Sequence, residues 1–244
     1  MTHENNHRFA DLDYDYYDFG CSSGLNIVFN NSIFPGYRGL GIDIDEKKID
    51  LARQSGHHAL RYNILDIPDT KQVKFVTMSH FLEHLGGVEA ARKMIVKAVS
   101  VSQNFVFIRQ PWFDSDGLLF LLGYKFYWSH WRGHRNKMTA LDFHSILTPE
   151  IEYGRISRFE IFGRSEVMKT EDPCLLPLDA PVNQHRYQIE LHGRKGASQS
   201  LPRMVFKEIL VAVCISDAGI SGIEAIIDAL GGSQLLYSSG EESR

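Results

Sequence analysis

The chain has 244 residues, with 43% apolar and 23% charged side chains and a formal charge of -4. That length and balance describe one large globular domain with a core that needs no disulfide or metal staple. The slight acidity excludes a general nucleic-acid binder. No run of 18 apolar residues occurs, so no membrane-spanning helix is expected. The polar start is unlike a targeting segment, and Cys21, Cys174 and Cys214 lie too far apart for a CxxC pair. Reduced thiols and a cytoplasmic setting follow as expectations.

In chain order, Tyr14 to Phe19 reads as a strand, followed by a small-residue turn and a helix from Gly24 to Phe34. Arg38 to Asp43 is a second strand and Asp45 to Ser55 a helix with Ile49, Leu51 and Ala52 on its apolar side. A short strand, His58 to Tyr62, precedes a fourth from Val73 to Ser79. A helix from Val88 to Ser102 then leads to a fifth strand, Phe105 to Arg109. This alternation predicts parallel strands joined by right-handed crossovers, an α/β doubly wound sheet. The rhythm then breaks. Residues 111–137 are aperiodic and hold eight aromatics, including all three tryptophans. Thr139 to Leu147 reads as helix, Ile151 to Phe162 as strand, and Glu208 to Ile215 as the last strand. Residues 163–203 carry four of the eight prolines and read as a surface excursion; residues 238–244 read as a frayed tail.

Asp18-Phe19-Gly20-Cys21-Ser22-Ser23-Gly24 follows a strand and opens a helix, the setting in which a glycine turn cradles a ligand. A dinucleotide fingerprint would need glycine at 22 and 25, where Ser22 and Leu25 stand, so a nicotinamide enzyme is disfavoured. The stretch resembles motif I of the class I S-adenosylmethionine-dependent methyltransferases, matching at Asp18, Gly20 and Gly24, with Ser22 in place of the middle glycine. The resemblance runs through residues 1–110. Asp43, 19 residues after Gly24 and followed by Ile44, stands where that family places its ribose carboxylate. Asn63-Ile64 stands at the adenine position, with Asn63 departing from the usual aspartate, and Ser79 to Leu85 stands beside the transferred methyl.

The resemblance implies a mostly parallel seven-stranded sheet with an antiparallel strand near its C-terminal end. Residues 1–110 would be the cofactor half of a single domain, and residues 111–137 and 163–203 acceptor-side or surface insertions. It implies S-adenosylmethionine held by Asp18, Gly20, Cys21, Gly24, Asp43, Ile44, Asn63, Ile64 and Ser79. Cys21 reads as filler of the turn, and Asp45 as the cap of the following helix. No Asn/Asp-Pro-Pro-Tyr/Phe motif follows the fourth strand, which disfavours base-amino methylation and leaves O-methylation of a small molecule or glycan. The pattern is similar to that of methyltransferases encoded for bacterial surface polysaccharide. A binding protein without turnover shares the same cofactor residues and stays open.

His80 falls beside the methyl and is the expected general base, with His134 second because Gly133 lets its loop approach closely. His80-Phe81-Leu82-Glu83-His84 also spells HxxEH, but too little helix follows the strand for a zinc hydrolase. Glu83 and His84 are expected to bond loop backbone and no metal is expected, the alternative being a divalent ion on His80, Glu83 and His84 that orients an acceptor hydroxyl. The aromatics would split between a local subcore and a wall for the acceptor, with Lys125, Arg132, Arg135 and Lys137 ready for a phosphate or carboxylate. Leu118 to Leu122 is amphiphilic, so a membrane-skimming surface is a further alternative.

Overall fold

The computed structural model describes residues 13–181, 185–202 and 204–240. Its main sheet has eight strands, ordered β10-β7-β9-β5-β4-β1-β2-β3. These are β1 (Tyr16–Phe19), β2 (Gly39–Asp43), β3 (Ala59–Arg61), β4 (Val73–Ser79), β5 (Ser102–Pro111), β7 (Arg158–Glu166), β9 (Phe206–Cys214) and β10 (Ser233–Ser238). Strands β3, β2, β1, β4 and β5 are mutually parallel. Strand β9 runs antiparallel to both β5 and β7, and β10 antiparallel to β7. The resemblance implies seven strands; the eighth is the edge strand β10.

Parallel strands need cover on both faces, and the inner ones are accordingly apolar on both sides. On one face Tyr16, Phe75 and Phe105 occupy one cross-strand row and stack, with ring centres 4.9 and 4.6 Å apart. On the other, Tyr17, Val76 and Val106 join the larger core. Helices α1 (Leu25–Ile33), α2 (Glu46–Gln54) and α3 (Val88–Val101) cover the parallel half, α3 burying Ala91, Ile95 and Ala98. Asp45 caps α2, its carboxylate accepting from the Lys47 and Lys48 amides.

Beyond β5 the sequence reading needs correction. Residues 111–137 hold α4 (Asp116–Leu121) and β6 (Tyr124–Phe126), the latter paired with β8 (Leu175–Pro177) in a separate ribbon. Helix α5 (Ala140–Glu152) starts at a Thr139–Asp142 capping box and continues past Leu147, through Pro149, so the expected strand begins only at Arg158. The excursion is shorter than expected because β7 runs to Glu166, and it holds β8 and a single helical turn, α6 (Ile189–His192). Helix α7 (Ile220–Leu230) and β10 follow, where the sequence reading stops at Ile215. Of the expected tail, Ser238 ends β10 and the Ser239 amide bonds Phe159 O, whereas residues 241–244 lie outside the described residues.

Candidate active site

The order of the parallel strands reverses between β1 and β4, and the crevice at their C-terminal ends is where open α/β sheets bind ligands. A cavity of about 350 Å³ opens there, lined by Gly20, Cys21, Ser22, Ser23, Ser79, His80 and Arg109 among others. The turn at its base depends on left-handed backbone at Gly20 (φ 69°), Ser22 (φ 50°) and Gly24 (φ 91°). A Cβ at Gly20 would sit 2.2 Å from the Phe81 ring, and one at Gly24 2.5 Å from His57, so neither position accepts another residue. Ser22 takes the strained conformation without being glycine, as residues at binding sites often do.

Asp18 lies beneath this turn and does not reach the cavity surface. One carboxylate oxygen accepts from Asn26 Nδ2 at 2.6 Å and Thr77 Oγ1 at 2.9 Å, and the other has no partner among the described residues. Burial raises its pKa to about 7 against those hydrogen bonds, with Asp43 adding to the rise. Asp18 therefore supports the turn from below, its side chain held by Asn26 and Thr77. Asp43 ties the turn to β2: Oδ2 accepts from the Ser22 amide at 3.0 Å and Oδ1 from the Asp45 amide at 2.9 Å. Ile44 is exposed, Asn63 Oδ1 caps the turn at Leu65, and Ile64 is buried, so none of these side chains lines the cavity. Burial pushes the Cys21 thiol far up, which makes it filler and not a nucleophile.

A second cavity, about 470 Å³, adjoins the first and shares His80 and Arg109 with it. Tyr127, Trp128, Trp131, His134, Arg164, Arg186, Lys207 and Glu208 contribute to its lining. Three of the eight aromatics thus face it, while Trp112, Phe113, Tyr124 and Phe126 pack a subcore. The four cations expected from residues 125–137 are not the ones found. Lys125 Nζ is buried and donates to Leu178 O at 2.8 Å and to Ala180 O, strapping β6 to the excursion. Arg132 and Arg135 point to solvent, and Lys137 pairs with Asp116. The cations present come from β5, β7, the excursion and β9, regions that sequence order separates by up to 98 residues (from Arg109 to Lys207).

Glu208 holds this wall together. Its Oε1 accepts from Arg109 at 2.6 and 2.9 Å and contacts His80 Nε2 at 3.1 Å, and its Oε2 bonds Arg164. Burial pushes the Glu208 pKa up, but His80 and Arg109 outweigh that and hold it at about 2. His80 has a left-handed backbone (φ 50°) and its Nδ1 lies 3.3 Å from Glu83 Oε1. Burial lowers the His80 pKa, yet the Glu208 and Glu83 carboxylates prevail and raise it to about 9. Its expected role as a general base meets an obstacle, because an imidazole held between two carboxylates favours the protonated form. Burial lowers the pKa of His134, its expected second, and its Nδ1 lies 3.1 Å from Trp128 O. The segment from Leu82 to His84 is a single 3₁₀ turn, so HxxEH presents no helix face and the hydrolase reading lapses. Glu83 also departs from expectation: His84 does bond loop backbone, at Gly133 O, but the Glu83 carboxylate has no aligned donor.

No family model matches the sequence, and no curated protein matches it. Solved structures do. A SAM-dependent methyltransferase from Archaeoglobus fulgidus aligns over 86% of this chain and 90% of its own, with 16% identity and a TM-score of 0.54. The YcgJ protein from Bacillus subtilis aligns over 86% and 96%, with 11% identity and a TM-score of 0.52. A SAM-dependent methyltransferase from Methanosarcina mazei aligns over 85% and 95%, with 14% identity and a TM-score of 0.50. With the parallel order β3-β2-β1-β4-β5 and the reversed β9, the chain has the class I methyltransferase fold. Among the described residues no helix is long and apolar enough to cross a membrane.

Proposed function

We propose that the protein methylates a hydroxyl of a small molecule or glycan bearing an acidic group, using S-adenosylmethionine. The observation that carries this reading is the meeting of the two cavities at His80 and Arg109. One cavity has the glycine turn, and the other has rings and cations suited to a sugar or flat ring with an anionic substituent. Bound in the glycine-turn cavity, S-adenosylmethionine supplies an electrophilic methyl on a sulfonium. Gly20, Cys21 and Ser22 admit it by close backbone approach, and Asp43 keeps a free acceptor position on each oxygen for the ribose hydroxyls. The Asn63 side-chain amide and the Ile64 backbone remain for the adenine, and Ser79 lies at the cavity wall. Trp131 and Arg186 orient the acceptor, whose oxygen forms the new bond to carbon. The electron pair of the broken S–C bond stays on sulfur, and the acceptor's proton passes to solvent. Placement and exclusion of water are the protein's main contributions.

Calorimetry against S-adenosylmethionine and NAD, followed by mass spectrometry of a glycan and metabolite panel, tests the reading. The expected result is binding of the first alone and a mass gain of one CH₂ unit in an acidic acceptor. Binding without any such gain would make the protein a cofactor-binding partner without turnover. Preference for NAD would overturn the cofactor assignment.

A further inference from the structure

The turn after β4 and the loop between β6 and α5 are stapled together by Asn136, whose amide donates to Glu83 O at 3.1 Å and whose Nδ2 donates to Leu82 O at 3.1 Å. This brings His134 against Glu83 and His84, with a donor atom of each residue within 4.8 Å of the other two. The Glu83 side chain is 1% exposed, and among the described residues neither of its oxygens has an aligned hydrogen-bond donor. Its ion-pair contact among the described residues, His80, is shared with Glu208. A buried carboxylate left in this way is unfavourable unless paired, or bound to a metal ion.

The two histidines are prepared for the same partner. His84 Nδ1 lies 3.0 Å from Gly133 O and His134 Nδ1 lies 3.1 Å from Trp128 O. A carbonyl only accepts, so each Nδ1 carries the proton and each Nε2 keeps its lone pair. That outer bond, imidazole to backbone carbonyl, is the arrangement that orients metal-ligating histidines. Gly133 makes it possible, since a Cβ there would lie 2.5 Å from the Trp131 ring.

We propose that Glu83, His84 and His134 form a binding site for a first-row divalent metal ion. Two imidazoles and a carboxylate suit zinc, manganese, cobalt or ferrous iron. Bonds of about 2.0–2.2 Å would draw the three groups slightly closer than they stand. Three protein ligands leave coordination positions open, and His134 lines the 470 Å³ cavity, so an open position faces the acceptor. On the methyl-transfer reading, an acceptor hydroxyl reaching that position is polarised toward alkoxide, with its proton passing to solvent. The metal site itself does not rest on that reading, and its test involves no turnover.

The test is titration of the full chain with Co²⁺, followed in the visible, and with Zn²⁺ by equilibrium dialysis. About one equivalent should bind, with the absorption of a low-coordinate Co²⁺ site. Glu83→Gln and His84→Ala should each weaken binding by roughly tenfold or more, whereas His130→Ala should not. Should Glu83→Gln misfold by circular dichroism, His134→Gln, on a half-buried loop, serves in its place. A wild-type chain that takes up no metal, or one whose uptake is indifferent to these substitutions, overturns the site.

Discussion

Around the glycine-turn cavity the determinants are backbone: left-handed residues at positions 20, 22 and 24, amides bound to Asp43, and strand ends set by the parallel ladder. Around the aromatic cavity they are long side chains from β5, β7, the excursion and β9, with Arg109 and Arg164 held through Glu208 and Lys207 through Asp172. A backbone cradle is local, so its chemistry is confined to a few adjacent residues. A side-chain wall is assembled only when distant strands pair, and any one member can be exchanged without moving the chain. The first region should thus be intolerant of change in shape, and the second sensitive to change in charge.

The largest effect that would sharpen this contrast lies in the wall. Glu208→Gln keeps the shape and an acceptor oxygen but leaves Arg109 and Arg164 facing each other without a counter-charge and His80 with Glu83 alone. Breaking a buried pair from one side costs about 3–5 kcal/mol, and the partial exposure of the arginines argues for the lower end. Urea unfolding measures it, with the more exposed pair of Asp15 and Lys74 as reference, where Asp15→Asn should cost about 1 kcal/mol or less. Equal losses at the two sites would mean that the wall is solvated and the contrast is false.

Next comes the acid beneath the cradle. The Asp18 pKa stands at about 7 in the fold against an ordinary 3.8, raised by burial. The folded chain therefore holds this proton more tightly than the unfolded one. Stability from this group is full below about pH 4, falls between about pH 4 and 7, and is level above that. Asp18→Asn, a neutral isostere, should remove that decline and be the more stable protein at pH 8, by a few kcal/mol at most. Parallel melts of the two proteins across this range check it; parallel curves would show that Asp18 is ionised throughout.

The same contrast explains what was legible in the sequence. The five parallel strands, the Asp45 cap and the Thr139 start of α5 are written in periodicity and in residues next to one another. The glycine turn is legible because only glycine, or a small residue under strain, adopts its φ values. The cations of the second cavity are not legible, since Arg109, Arg164, Arg186 and Lys207 share no local pattern and meet only through strand pairing and the packing of the excursion. Nor is the approach of His134 to Glu83, which depends on Asn136 bonding across two loops. Helix α7 did carry a signal: Ile220, Ile223, Ile226, Ile227 and Leu230 repeat at helical spacing. Strand β10 pairs only along one edge with β7, so its burial pattern is weak.

Asp43 tests the cradle as a ligand site. Replacing it with alanine removes a charge-assisted contact to the ribose and also frees the Ser22 and Asp45 amides. S-adenosylmethionine affinity should fall by ~1.5–3 kcal/mol, read by calorimetry. Unchanged affinity would move the ribose elsewhere along the turn.

The smallest effect is expected at the rim of the aromatic cavity. Arg186 lines it and is exposed, and unlike Arg109 and Arg164 it does not bind Glu208. Its guanidinium, which bonds the Tyr127 side chain, can meet an acidic group without breaking the Glu208 pairs, yet solvent screens the attraction. Arg186→Ala should weaken an anionic acceptor by about 1 kcal/mol, seen as a several-fold higher KM with kcat nearly unchanged. Cofactor affinity should not move, because the glycine-turn cavity does not include this residue. A neutral analogue of the same acceptor should show no difference between the two proteins. If the neutral analogue suffers equally, Arg186 contributes packing through its stem and not charge. If kcat falls instead, the residue positions the acceptor in the transition state, and the wall is more than an anchor.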